Sequence, residues 1–262
     1  MYVSFFADGF DESSKFVGIK NYVNLFRDST FTGALKNNIF DGDWVVDRAF
    51  AVGACFFGNI LFQKIKGSHF FPDSVFFCRV LSAGWLWGLT WTFVYNSEFG
   101  LLNKFLEIIG LESLQHVWLS DKNLALFCII VVVMWQFVGY HMIIQLAAMK
   151  NIPSSYYEAA EIDGASKWVQ FKSITFPLIK PILKVDAVLI ITGSLKYYDL
   201  IAVMTGGGPN HATELMSTYM FYQGFRTLKY GYSAGIGVIL LILCMCSVLL
   251  SNLVFRSEPV EF

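Results

Sequence analysis

Two sets of residues have the types and spacing to recognise another molecule. Ser155 and Glu158 form an S-x-x-E pattern, in which a hydroxyl and a carboxylate satisfy the first amides of a helix. Gly164 follows about two helical turns later, where a residue in the left-handed conformation can end that helix. Ser166 can then cap a second one. Ser194, Tyr197 and Tyr198 are spaced i, i+3 and i+4, so a continuous helix puts them on one face. Hydroxyls beside aromatic rings suit a sugar, which offers hydroxyls and an apolar ring surface. Helix–helix packing with interfacial tyrosines explains the same three residues equally well. Bond-making chemistry has no such set. The five cysteines, Cys55, Cys78, Cys128, Cys244 and Cys246, all fall in apolar stretches, and the four histidines, His69, His116, His141 and His211, lack ligand spacing. The sequence therefore predicts no catalytic residue, no metal site and no disulfide framework.

The elements that must position these residues are apolar helices. Apolar residues make up 55% of the chain and charged residues 15%, against ~45–50% and ~25% in soluble domains. Lipid-facing surface moves both fractions in this direction, because lipid offers no partner to a charge. Apolar stretches near the ~20 residues that cross a bilayer lie at 44–62, 75–95, 124–148, 185–204 and 233–255. The loop after the first holds Lys64 and Lys66, and the loop after the third holds Lys150, Lys167, Lys172, Lys180 and Lys184. Short loops rich in lysine are cytoplasmic. Alternation places residues 1–43 outside, where Asp8, Asp11, Glu12, Asp28, Asp41 and Asp43 outweigh the basic residues. A polar external start with the apolar run 1–6 at its head predicts a further helix upstream. The chain reads as an all-α polytopic membrane protein with about five transmembrane helices. Residues 44–262 form one transmembrane domain that includes a cytoplasmic loop at 150–181. No basic stripe suggests a nucleic-acid face.

That loop is too long for a simple connector. Pro153 marks the start of its first helix, and Pro177 and Pro181 are expected to stop the second before the next span. A helix–glycine–helix outside the bilayer is built to dock on a partner or to rest on lipid headgroups. Periodicity does not separate these two readings.

A resemblance does. Glu158-Ala159-Ala160, three residues, Gly164, nine residues and then Ile174-Thr175-Phe176-Pro177 resemble the EAA loop of binding-protein-dependent ABC importer permeases, with Phe176 where leucine is usual. The run from Tyr157 to Ala165 is similar to the carbohydrate-uptake branch of maltose and glycerol-phosphate type. Phe16-Val17-Gly18-Ile19-Lys20-Asn21-Tyr22 resembles that branch's external segment, and Thr205-Gly206-Gly207-Gly208-Pro209 a turn of its first-type permease. Gly231-Tyr232-Ser233-Ala234 resembles the start of its last span. The similarity runs from about Phe16 to Phe262, and the resemblance implies that the family's first helix is expected upstream of it. Asp41-Gly42-Asp43, Pro72 and Cys78-Arg79 depart from the family pattern.

The resemblance implies a type I ABC importer permease fold in a bacterial cytoplasmic membrane. It implies that Glu158, Ala159, Ala160, Asp163, Gly164 and Pro177 form the loop that inserts into a groove of a cytoplasmic ATPase. Glu158 would be the polar contact, Ala159 and Ala160 close-packing positions and Gly164 the turn. It also implies four kinds of partner: a second homologous permease, two ATPase subunits, an external solute-binding protein and the bilayer. No cofactor is expected in this chain, ATP-Mg being bound by the ATPase. Ser194, Tyr197 and Tyr198 would line the substrate path. Two rivals are an ion-coupled secondary transporter and a membrane-embedded enzyme. The first lacks a chain of intramembrane carboxylates; Asp186 sits near the lysine-rich side. The second lacks any catalytic constellation.

Overall fold

The computed structural model describes residues 2–7, 15–42 and 84–254. The predicted span 44–62 and residues 75–83 of the span 75–95 lie outside these residues, as do Pro72, Cys78 and Arg79. Eleven α-helices are named here in chain order: α1 Lys20–Arg27, α2 Ser29–Lys36, α3 Gly84–Val94, α4 Leu101–Ile108, α5 Ala125–Lys150, α6 Ser154–Ile162, α7 Lys167–Gln170, α8 Phe176–Leu195, α9 Asp199–Met204, α10 Met216–Phe221 and α11 Tyr230–Val254. Wide π-type turns at Asn37–Gly42, Phe171–Thr175 and Tyr222–Arg226 follow α2, α7 and α10. Helices α5 and α11 are long and apolar enough to cross a membrane. At ~1.5 Å per residue each exceeds the ~30 Å hydrocarbon core. The chain divides into two compact units, one of 1–46, 82–133 and 192–245, the other of 47–81, 134–191 and 246–262.

Among the described residues, the first unit has two apolar clusters. Tyr95, Cys128, Ile129, Val132, Leu200, Ile201, Met204 and Leu215 form one, flanked by Trp87, Trp91 and Trp118. Leu25, Phe31, Met216, Tyr219 and Ile236 form the other. Side-chain amides join the segments around them. Asn37 donates to the carbonyls of Ala212 (3.0 Å) and Glu214 (2.9 Å). Asn38 accepts from the Met216 amide at 2.8 Å.

Asp28 is a second joint. Its carboxylate caps α2 by accepting from the amides of Thr30 (2.9 Å) and Phe31 (3.4 Å). It also accepts from the hydroxyls of Tyr219 and Tyr232. Burial pushes this carboxyl up, but the two hydroxyls and two amides outweigh burial and hold it below its usual value. A lowered carboxyl stabilises above its unfolded pKa and loses that contribution as pH falls through the folded one. Asp28→Asn keeps a good cap and weakens the bonds to both tyrosines. The opening free energy of residues 20–36 should fall by about 1 kcal/mol at neutral pH, read by hydrogen exchange. The difference from the parent should begin to shrink below about pH 4 and vanish once the pH falls below the lowered carboxyl pKa of the folded state.

The described part of the second unit includes the 150–181 loop and its stems. Met149, Ile152 and Ile179 form its apolar centre, packed by Tyr157, Ile174, Leu178 and Leu183. Tyr157 and Thr175 share a hydroxyl hydrogen bond of 2.9 Å.

The predicted span 185–204 is not one helix. Helix α8 ends at Leu195, and α9 restarts at Asp199. Tyr198 has φ −133° and ψ −53°, outside helical geometry. The exposed carbonyls at the break are answered from elsewhere in the same unit. Asn38 donates to the Leu195 carbonyl at 3.4 Å and the Ser217 hydroxyl donates to that of Tyr197. A helix end inside a packed structure needs such partners, and they explain why the break persists.

Candidate functional site

The loop expected to dock begins at Pro153, whose φ of −57° leads directly into α6. No side chain caps this helix. The expected capping box is therefore corrected: Ser155 is the second residue of α6 rather than its cap, and the proline sets the boundary instead. The C-terminus is as expected. Gly164 has φ +74°, the Gly164 amide bonds the Glu161 carbonyl (3.1 Å) and the Ala165 amide bonds that of Ala160 (2.9 Å). This paired arrangement is a Schellman motif and satisfies the last carbonyls of the helix. Ser166 caps α7 through the Val169 amide at 3.4 Å. Glu161 and Lys167 pair across the turn, and the hydrogen bond and charge of Lys167 lower the Glu161 carboxyl.

Pro177 and Pro181 do not stop the chain. Helix α8 runs from Phe176 through both prolines. The Phe171–Thr175 turn bonds the Phe176 amide to the Phe171 carbonyl, five residues back. Pro177 then falls in the first turn of α8, where its missing amide is not required. Pro181 forgoes one backbone bond, offset by the packing of Ile179 and its neighbours.

The tip of this loop presents apolar side chains. Ile162 is 87% exposed and Trp168 68%, with Tyr156 and Val169 also exposed. Glu158, Ala159 and Asp163 are exposed beside them, and Ala160 is half-buried. Trp168 stacks on Phe171 with ring centroids 5.8 Å apart.

The other predicted set is not brought together as expected. Ser194 is on α8, while Tyr197 and Tyr198 lie in the break. The one-face reading needed an unbroken helix and is corrected on that ground. Tyr197 packs on the Leu200–Met204 cluster, and Tyr198 meets Phe221 at 5.1 Å.

The 205–209 turn is braced. Gly206 and Gly207 have φ of +60° and +90°. Thr213 bonds the Gly208 carbonyl at 2.6 Å and shares a 2.7 Å hydroxyl bond with Thr205. A side chain on Gly207 would overlap the buried Glu214 carboxylate. Beside the turn is a cavity of ≈ 380 Å³ whose lining includes Thr92, Tyr95, Asn96, Ser120 and Thr205.

Sequence reasoning missed a buried polar group. Asp186, 1% exposed, meets His141 Nδ1 at 2.7 Å and accepts from Gln145 Nε2 at 2.7 Å. The available signal was a histidine and a glutamine four residues apart within an apolar helix, which places both on one face.

Comparison with known proteins gives these features a family. Residues 70–257 match the family described as binding-protein-dependent transport system inner membrane component. The chain is 36% identical over 255 residues to the probable ABC transporter permease protein YurN of Bacillus subtilis (strain 168), covering 96% of this chain and 86% of that protein. It is 32% identical over 234 residues to the trehalose/maltose transport system permease protein MalF of Thermococcus litoralis, covering 88% and 76%. In fold it is similar to a chain of a bacterial ABC transporter involved in the import of the acidic polysaccharide alginate, with a TM-score of 0.80 at 22% identity, covering 91% and 83%. A family match over most of the chain, together with relatives matched over most of their own length, places this protein among the binding-protein-dependent inner membrane components, the permease subunits of ABC importers.

Proposed function

We propose that this permease forms one half of an ATP-driven pathway that imports a carbohydrate or related small solute by alternating access. The observation that carries the reading is the capped helix–glycine–helix tip, whose exposed Ile162 and Trp168 call for a protein groove. In this reading the groove belongs to a cytoplasmic ATPase that binds ATP-Mg. Glu158 makes the polar contact, Ala159 and Ala160 allow close approach, Asp163 and Gly164 form the turn, and Pro177 starts the stem. Segment 1–43 lies outside and the permease domain of 44–262 crosses the membrane several times, with loop 150–181 in the cytoplasm. The carbohydrate assignment rests on the sugar-transport relatives. Ser194, Tyr197 and Tyr198 are the proposed substrate-path residues, with Ser194 on α8 and the two tyrosines in the helix break rather than all three on one face. A solute-binding protein delivers its load on the side of the 205–209 turn, where hydroxyl-bearing residues line the cavity.

One half of a pathway cannot transport alone. Expressed with its partners and purified in detergent, the chain should elute with a second permease and two ATPase subunits, as weighed by native mass spectrometry. Recovery of a transport-active monomer or homodimer without ATPase would overturn the proposal.

A further inference from the structure

The buried group in the second unit bears on how a displacement of the loop reaches the membrane helices. His141 and Gln145 project from one face of α5, and between them they engage both oxygens of Asp186 on α8. All three side chains are buried. The Gln145 side-chain nitrogen is committed to Asp186, while its oxygen has no hydrogen-bond partner among the described residues. Tyr140 meets the His141 ring edge-on at 5.1 Å, which helps fix its plane.

Position along the helices matters more than the bonds themselves. Helix α5 leads into the cytoplasmic loop at Lys150, and α8 leads out of it at Phe176. At ~1.5 Å per residue, His141 lies about 14 Å from the loop along α5 and Asp186 about 15 Å along α8. The polar contact therefore joins both stems at matching depth. Nearer the loop, Met149, Ile152 and Ile179 join them a second time. A single contact lets two helices scissor or rotate, whereas two separated contacts fix the angle between them. Apolar packing alone tolerates sliding in a membrane, where the surroundings are equally apolar. A carboxylate bonded at both oxygens fixes register, at the cost of placing an ionisable group among apolar helices.

We infer that Asp186, held by His141 and Gln145, is a positioning residue that locks the two stems of the cytoplasmic loop into one lever, so that both helices move when the loop is displaced. The inference rests on the loop's proposed ATPase-coupling role. It makes no demand on substrate identity.

The test uses the intact complex in proteoliposomes and reads phosphate release from Mg-ATP with and without the binding protein, purified in its loaded state. Asp186→Leu should lower the stimulated-to-basal ratio roughly fivefold to tenfold at unchanged membrane abundance. A purely structural role would lower abundance and both rates together. If Asp186→Leu does not assemble, Asp186→Asn is judged by the same ratio and should show a smaller loss. In a cysteine-free background, cross-linking His141→Cys to Asp186→Cys should restore the ratio. A wild-type ratio in both Asp186 variants, or a cross-link that blocks stimulation, would overturn the lever. Gly164→Val separates the two ideas. If it stimulates normally, the coupling role of the loop fails. If it is inactive while the Asp186 variants keep the wild-type ratio, only the lever fails.

Discussion

Replacing Gly164 by valine will abolish solute uptake while the subunit still reaches the membrane. Gly164 has φ +74° and no atom within 4 Å of a Cβ built there, so the penalty is conformational. A left-handed backbone costs an ordinary residue about 1–2 kcal/mol, and β-branching makes it worse. The chain can avoid that cost by unwinding the last turn of α6. The bonds from the Gly164 and Ala165 amides are then lost, and with them the angle between α6 and α7. The membrane helices do not depend on that angle. Glu158→Lys approaches the same site through charge, because Glu158 is exposed and its reversal leaves the fold alone. Uptake and membrane abundance measured side by side decide the matter. Normal uptake in both variants would remove the docking role.

Gly207→Val will be nearly as damaging, for a different reason. Its φ is +90°, and a Cβ would sit 2.8 Å from the carboxylate carbon of Glu214. Glu214 cannot move freely: it is 5% exposed, accepts from the Thr218 hydroxyl at 2.7 Å and pairs with His211 at 3.0 Å. Backbone strain and overlap therefore act together. Core overpacking of this kind costs about 1–3 kcal/mol in addition to the backbone term. Gly206 is the control, since it has positive φ but nothing within 4 Å. Gly206→Ala should cost only about 1–2 kcal/mol and keep transport. The thermal midpoint of the purified complex should fall much further for Gly207→Val. Equal midpoints would show that the Glu214 contact does not hold the turn.

What the sequence made legible was local. The left-handed turn at Gly164 and the Ser166 cap depend on neighbours a few residues away, and both are present. The spans 124–148 and 233–255 match α5 and α11 closely because each is one long apolar run. Failures came where a distant group decides. Leu195 ends its helix with Asn38, 157 residues away, at its carbonyl. Asp186 looked like a stray charge near a lysine-rich loop until His141, 45 residues away, was beside it. The capping box failed locally, because two helix-start signals overlapped and the proline came first.

The wide turn at Phe171–Thr175 has a rotational meaning. One extra residue in a turn adds about 100° of azimuth, so side chains before and after it no longer share the stripe that a 3.6-residue count assigns. The spacing between Gly164 and Pro177 thus sets a phase as well as a length. Losing one residue there would shorten the loop by little, yet it would swing the Trp168 side of the tip around the axis of α8. In this chain the aim of the tip is written in the number of residues between two helices, and no single side chain carries it.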